Sequence, residues 1–189
     1  MPDAAVRSDE ELIEKASAGD RAAFRLIAER HGPALFRYAR TLTAHREDAE
    51  DVLQEALLSA WRTLSSFRGD ASLRTWLFTI LRHSAYRLNR RQAQAPQASG
   101  DIEALGRAAG WGGKDPETLV SLAEDRSRLQ GALRSLEADD REILLLRDLE
   151  GMSGEQAREV LGLSLAAMKS RLHRARLRLA AAIRCGRQA

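Results

Sequence analysis

Residues 153–184 read SGEQAREVLGLSLAAMKSRLHRARLRLAAAIR, and their spacing decides how the chain is built. Ser153 with Gln156 three positions on fits a capping box, in which two side chains and two backbone N–H groups satisfy one another. The helix started there is predicted to stop at Gly162, which admits a left-handed backbone, and Ser164 then caps a second helix running to about Arg184. Two helices joined by so tight a turn form a helix-turn-helix. In the second helix Leu165, Met168, Leu172, Ala175 and Leu179 recur at steps of three and four, a buried stripe at about 100° per residue. Ser170, His173, Arg174 and Leu177 leave from the opposite side, with Lys169 and Arg171 flanking them. From Lys169 to Arg184 there are six Lys or Arg and no acid. Arg can bond guanine O6 and N7 in the major groove, and Ser and Lys reach base edges or phosphates. A solvated helix face is the competing reading; the acid-free run and the tight turn favour DNA.

Outward from this segment the spacing stays helical, and no run alternates apolar and polar residues as a strand would, so the expected fold class is all-α with two helical domains. Ser8 with Glu11 and Asp139 with Glu142 are further predicted capping boxes, and Asp115-Pro116 is a predicted N-cap with proline at the first helical position. Between Gln92 and Asp115 the periodicity fails in QAQAPQASG and GWGGK, a composition that cannot bury enough surface to order itself. The expected organisation is a helical domain over 1–91, a flexible linker over 92–115 and the helix-turn-helix domain over 116–189. Such a linker has an r.m.s. span of about 27 Å and an extended reach near ~80 Å, enough for the halves to occupy separate sites. Within it Leu105 and Trp111 are expected either to dock as a short turn or to bind a partner.

In the first half, residues 67–91 read FRGDASLRTWLFTILRHSAYRLNRR. A Gly-Asp loop leads into a helix whose predicted buried side is Leu73, Trp76, Leu77, Ile80, Leu81 and Leu88. Phe78, Arg82, Tyr86 and Asn89 are placed on its polar side, where aromatics interleaved with Arg form a stacking platform for unpaired bases. Exposed aromatics also arise by chance or as interdomain contacts. The small, polar loop 67–72 has room to admit an extruded base. The preceding helix, Arg46 to Leu64, is expected to bury Ala49, Val52, Leu53, Ala56, Ala60 and Leu64. Five acids and no base lie between Glu47 and Glu55. Its opposite side carries Asp51, Gln54, Glu55, Leu58 and Arg62: an apolar anchor inside a polar rim, or a solvated face with a stray leucine.

Composition narrows the function classes. Of 189 residues 44% are apolar and 30% charged, but no stretch approaches the ~20 apolar residues of a membrane span, and Met1 to Glu14 lacks the pattern of a signal peptide. A cytoplasmic protein without membrane insertion is expected. One cysteine, Cys185, and four histidines without an H-x-x-x-H pair give no disulfide, metal site or cofactor. Acids such as Asp48 and Asp51 come with no nucleophile or phosphate loop, so an enzyme is not expected. A helix-turn-helix regulator whose first half binds a ligand or dimerises is the nearer alternative, but it leaves unexplained an acidic helix beside one suited to single strands.

The segments HREDAEDVLQEALLSAWRTLSSFRGDASLRTWLFTIL (45–81) and LGLSLAAMKSRLHRARLRL (161–179) closely resemble the extracytoplasmic-function branch of the sigma-70 family of bacterial transcription initiation factors. The resemblance extends over about 20–91 and 116–184. It implies that Asp48, Asp51, Gln54, Glu55 and Leu58 dock to the clamp helices of the largest subunit of core RNA polymerase, with the flap of the second-largest subunit as a further contact. It implies that Phe67, Arg68, Gly69, Asp70, Ala71, Ser72, Arg74, Thr75, Trp76, Phe78 and His83 bind the minus-ten element of promoter DNA. His83 stands where many relatives carry asparagine near the captured base. Lys169, Ser170, Arg171, His173 and Arg174 would read the minus-thirty-five element as duplex. An anti-sigma factor, acting in a stress or envelope response, is also implied.

Overall fold

In the computed structural model, residues 8–92 and 129–185 are described, and all regular structure among them is helical. Gln92, the first residue of the expected linker, is the last of a helix; the rest of that linker, its Leu105 and Trp111, and the cap at Asp115-Pro116 lie outside the described residues. Helix α1 (Asp9–Ser17) begins at Ser8, whose hydroxyl accepts from the Glu11 N–H at 3.3 Å. Asp20 caps α2 (Arg21–Leu42) by accepting from the N–H groups of Ala22 and Ala23. Helix α3 (Arg46–Thr63) closes in a single tighter turn, Leu64–Ser66. The loop from Phe67 leads to α4 (Leu73–Gln92). Leu12, Ile27, Leu35, Val52, Leu64, Leu77 and Leu81 are buried where these four helices meet; of the stripes read from the sequence, Leu53, Trp76, Ile80 and Leu88 are only half-buried.

The second half begins with helical residues 129–134 and continues with α5 (Ala138–Leu144), which widens into a π-helical turn, Leu145–Leu149. Helices α6 (Gly154–Leu161) and α7 (Leu165–Cys185) are the expected helix-turn-helix. Its capping box is complete: Ser153 Oγ accepts from the Gln156 N–H at 3.2 Å, and Gln156 Oε1 accepts from the Ser153 N–H at 2.8 Å. Gly162 ends α6 with φ +66°. Met168, Leu172 and Ala175 are buried as predicted, with Leu165 and Leu179 packed beside them.

One expectation is corrected. Asp139 does not cap α5: the helix starts two residues earlier than that cap implies, behind Glu137, and Glu142 bonds the other half of the molecule instead of its own N-terminus. The two halves, which the expected linker would allow to occupy separate sites, lie together here. Helix α4 packs on α6 and α2 on α5, and the buried cores join into one cluster.

Gly162→Ala should lower stability by about 1–2 kcal/mol, the steric cost of a left-handed Cβ. Ser153→Ala should cost about 1 kcal/mol for the lost cap. Urea denaturation followed by circular dichroism measures both.

Candidate functional site

Three surfaces gather the residues singled out by the sequence. The first is the outer face of α7. Lys169, Ser170, His173 and Arg174 are exposed there together, and among the described residues none of them forms an ion pair. Three other cations of the run are neutralised from behind. Arg171 pairs with Asp139 at 3.0 Å, Arg176 with Asp148 at 2.5 Å and Arg178 with Asp140 at 2.5 Å. An acid-free stretch of sequence therefore becomes a helix with one paired side and one free cationic side. Arg171 is half-buried against Asp139 and does not share the free side of Arg174.

The second surface lies along α3. Asp51, Gln54 and Glu55 are exposed and Leu58 is 42% exposed. Asp48 stands apart: its Oδ1 accepts from Gln92 Nε2 at 2.8 Å and its Oδ2 is buried. Leu58 is no stray leucine. With Gln54, Leu53, Leu57, Phe24 and Trp61 it lines an open, mostly apolar groove of about 610 Å³ between α2 and α3. Phe24 meets Trp61 edge-on, ring centres 5.1 Å apart, and Arg21 and Glu50 stand at the rim. The sequence reading missed Phe24 and Trp61, since each looks like an ordinary core aromatic until α2 and α3 are set side by side.

The third surface runs from the 67–72 loop along α4. Arg68, Gly69, Asp70 and Ser72 are exposed and Ala71 half-exposed, and the loop turns at Gly69 with φ +77°. Phe67 is half-buried and leans on Trp76, ring centres 5.1 Å apart. His83 is exposed and, with Ser59, Ile80, Tyr86, Arg87 and Arg90, lines a cationic pocket of about 360 Å³. Two residues are not where the sequence placed them. Thr75 is buried; its N–H donates to Ser72 Oγ at 3.1 Å and the two hydroxyls are 2.8 Å apart, so it serves the cap of α4. Phe78, expected on the polar side, is 0% exposed and stacks on Tyr38 with ring centres 5.0 Å apart.

Phe78 is buried in the layer where the two halves meet, and that layer is built on ion pairs. Glu142 Oε1 accepts from Tyr38 Oη at 2.5 Å and from Arg82 Nε at 2.8 Å. Glu150 accepts from Arg37 Nε at 2.8 Å and from Arg74 Nη2 at 2.5 Å, while Arg74 Nη1 donates to the Glu150 carbonyl at 2.8 Å. Both glutamate side chains are 2% exposed. Burial, together with the Glu142 charge, pushes the Tyr38 hydroxyl well above its ordinary pKa of 10, so it stays protonated and donates. Burial opposes the charge on Arg82, and Glu142 more than offsets that effect, leaving its pKa raised. The Arg74 guanidinium lies 5.4 Å from the centre of the Phe78 ring and that of Arg82 lies 4.6 Å from the Tyr86 ring, contacts that favour a cation over a π face. Arg74 and Arg82 are eight residues apart in the first half, as are Glu142 and Glu150 in the second.

With this geometry in view, comparison with known proteins is decisive. The model of sigma-70 region 2 matches residues 27–95, and that of sigma-70 region 4 matches 126–179. The RNA polymerase sigma factor CnrH of Cupriavidus metallidurans is 35% identical over 179 residues, 92% of this chain and 93% of its own. The ECF RNA polymerase sigma-E factor of Escherichia coli K12 is 33% identical over 178 residues, 89% of this chain and 91% of its own. Among solved structures, CnrH in complex with the cytosolic domain of CnrY superposes with a TM-score of 0.67 at 30% identity, over 95% of this chain and 99% of that one. RpoE from Bartonella quintana, in complex with the anti-sigma factor NepR, superposes with a TM-score of 0.66 at 30% identity, over 85% and 96%. The chain belongs to the extracytoplasmic-function branch of the sigma-70 family. It is a sigma factor directing transcription initiation, and not an enzyme. Among the described residues no helix is long and apolar enough to cross a membrane.

Thr75→Val removes the hydroxyl shared with Ser72 and should cost about 1 kcal/mol of stability. Single-strand DNA binding should not change; a specific binding defect in a stably folded Thr75→Val protein would return Thr75 to the DNA-contacting set.

Proposed function

We propose that the three surfaces divide the work of initiation. The α2–α3 groove with Asp51, Gln54, Glu55 and Leu58 docks the clamp helices of the largest polymerase subunit. Residues 67–72 with Arg74, Trp76 and His83 take the melted minus-ten strand. Phe78 joins that surface once the second half moves away. Lys169, Ser170, His173 and Arg174 read the minus-thirty-five duplex, with the second half also meeting the flap of the second-largest subunit. Residues 1–91 and 116–189 act as the two working domains, joined through 92–115, in the cytoplasm where polymerase is found. The observation that carries this reading is the free cationic side of α7, four exposed residues at the start of the second helix of a helix-turn-helix. Two relatives have been solved in complexes, CnrH with the cytosolic domain of CnrY and RpoE with the anti-sigma factor NepR. An anti-sigma partner and control by envelope or other stress are proposed here on that basis.

Arg174→Ala should cost roughly 1–3 kcal/mol on the preferred duplex and flatten discrimination at one base pair. Lys169→Ala should weaken all sequences alike and lower the salt slope by about one unit. Binding across single-base variants at several salt concentrations separates the two, and unaltered base preference in Arg174→Ala removes it from direct readout.

Leu58→Arg places a charge in the groove and should weaken core polymerase binding at least tenfold, about 1.4 kcal/mol, with helicity intact. Affinity for core, measured by fluorescence titration, tests this; a wild-type value argues that the groove is not the dock.

Phe67→Ala should slow open-complex formation on duplex promoters, with partial rescue where the minus-ten region is already mismatched, because the cost of unpairing has been removed. Equal defects on both templates assign Phe67 to packing against Trp76.

A further inference from the structure

Helix α4 presents Arg74, Phe78 and Arg82 at steps of four, with Tyr86 next in the row; Arg37 joins from α2. An alternation of guanidinium and aromatic ring suits a nucleic-acid strand, the cations for phosphates and the rings for bases. In the present arrangement that row is filled. Glu150 bonds both Arg37 and Arg74, and Glu142 bonds Arg82, each carboxylate placed as an anionic group would be. Carboxylate and phosphate meet the same guanidinium fork with the same geometry. The π-helical turn at Leu145–Leu149 helps to align them. A widened turn rotates less per residue than an α-helix, so eight residues come closer to two whole turns and Glu150 returns to the side of Glu142.

We infer that Arg37, Arg74 and Arg82 form a phosphate-binding row for a DNA strand, and that Glu142 and Glu150 occupy it as the chain's own stand-ins for phosphates, so that the second half competes with DNA for the first. This rests on the reading of α4 as the strand-binding helix, and extends it to Arg37 and Arg82. The competition is selective. Lys169 and Arg174 remain exposed while the arginine row is covered, so the closed chain keeps its duplex-reading face and withholds strand capture.

The test uses the full chain without polymerase, a short labelled single-stranded oligonucleotide, and small-angle scattering for compactness. A Glu142→Gln, Glu150→Gln double variant should expand and bind the strand about tenfold more tightly than wild type. Adding Arg37→Ala and Arg82→Ala should leave it expanded and abolish the gain. Glu142→Asp with Glu150→Asp keeps both charges but shortens their reach; it should shift compactness and binding in the same directions by a smaller amount, and it serves if the glutamines compromise folding. Expansion without gain in affinity overturns the phosphate row, and persistent compactness with unchanged affinity overturns the role of the two acids. Run-off transcription with core polymerase reads the parent assignment separately. A wild-type chain that directs promoter-specific initiation while neither acidic variant gains affinity leaves the sigma assignment standing and sinks this proposal. A gain in affinity that the arginine changes remove upholds it whatever the promoter result.

Discussion

Two carboxylates set the terms of this structure. Glu142 and Glu150 lie on one short stretch of the second half, with side chains 2% exposed, and an ionised carboxylate cannot be held away from water without partners. The second half does not supply them. Three arginines and a tyrosine of the first half do, and the two halves are therefore found face to face, with Phe78 and Tyr38 stacked in the same layer. Such pairs contribute little net stability, because the attraction gained is roughly matched by the hydration lost. What they supply is geometry: any other docking of the halves would strand a charge. The apolar contacts of the layer then decide how far the balance favours the closed form.

The same rule shapes α7 at its solvated edge. Arg171, Arg176 and Arg178 each meet an aspartate from the segment spanning α5 and its π-helical turn. These pairs are at least partly exposed and are worth little in energy, but they fix which cations are spent within the protein and which are left for a ligand. Three of the six basic residues in the run are paired in this way, and Lys169 and Arg174 are left free beside Ser170 and His173, a restricted set, which matters for reading a sequence of base pairs. Phosphate contacts alone carry no sequence information.

The all-α class, the helix-turn-helix, its capping box and its buried stripe were legible because each depends on neighbours within about four residues. The acidic side of α3 was legible for the same reason, although half of its groove comes from α2 and only Phe24 and Trp61 in place reveal it. Long-range partners were not legible. Glu142 had the spacing of a local cap and took a partner 104 positions away. Phe78 had the position of an exposed aromatic and is buried against Tyr38 of α2, a partner that helical periodicity cannot locate. Thr75 sat within a loop-to-helix segment full of polar residues, where nothing in the spacing distinguishes a side chain that serves the cap from one that faces solvent.

The closed arrangement also limits what a partner can do. A ligand shifts a two-state balance only by the difference between its affinities for the two states. The α2–α3 groove is remote from the buried layer and offers the same surface whether the halves touch or not, so a partner gripping it alone gains no leverage over their separation. Leverage belongs to contacts that differ between the states: a strand on the arginine row, or a partner long enough to hold both halves at a spacing the ion pairs cannot span. Docking and opening are therefore separable events in this fold. The acids that join the halves fix how much differential binding the second event requires.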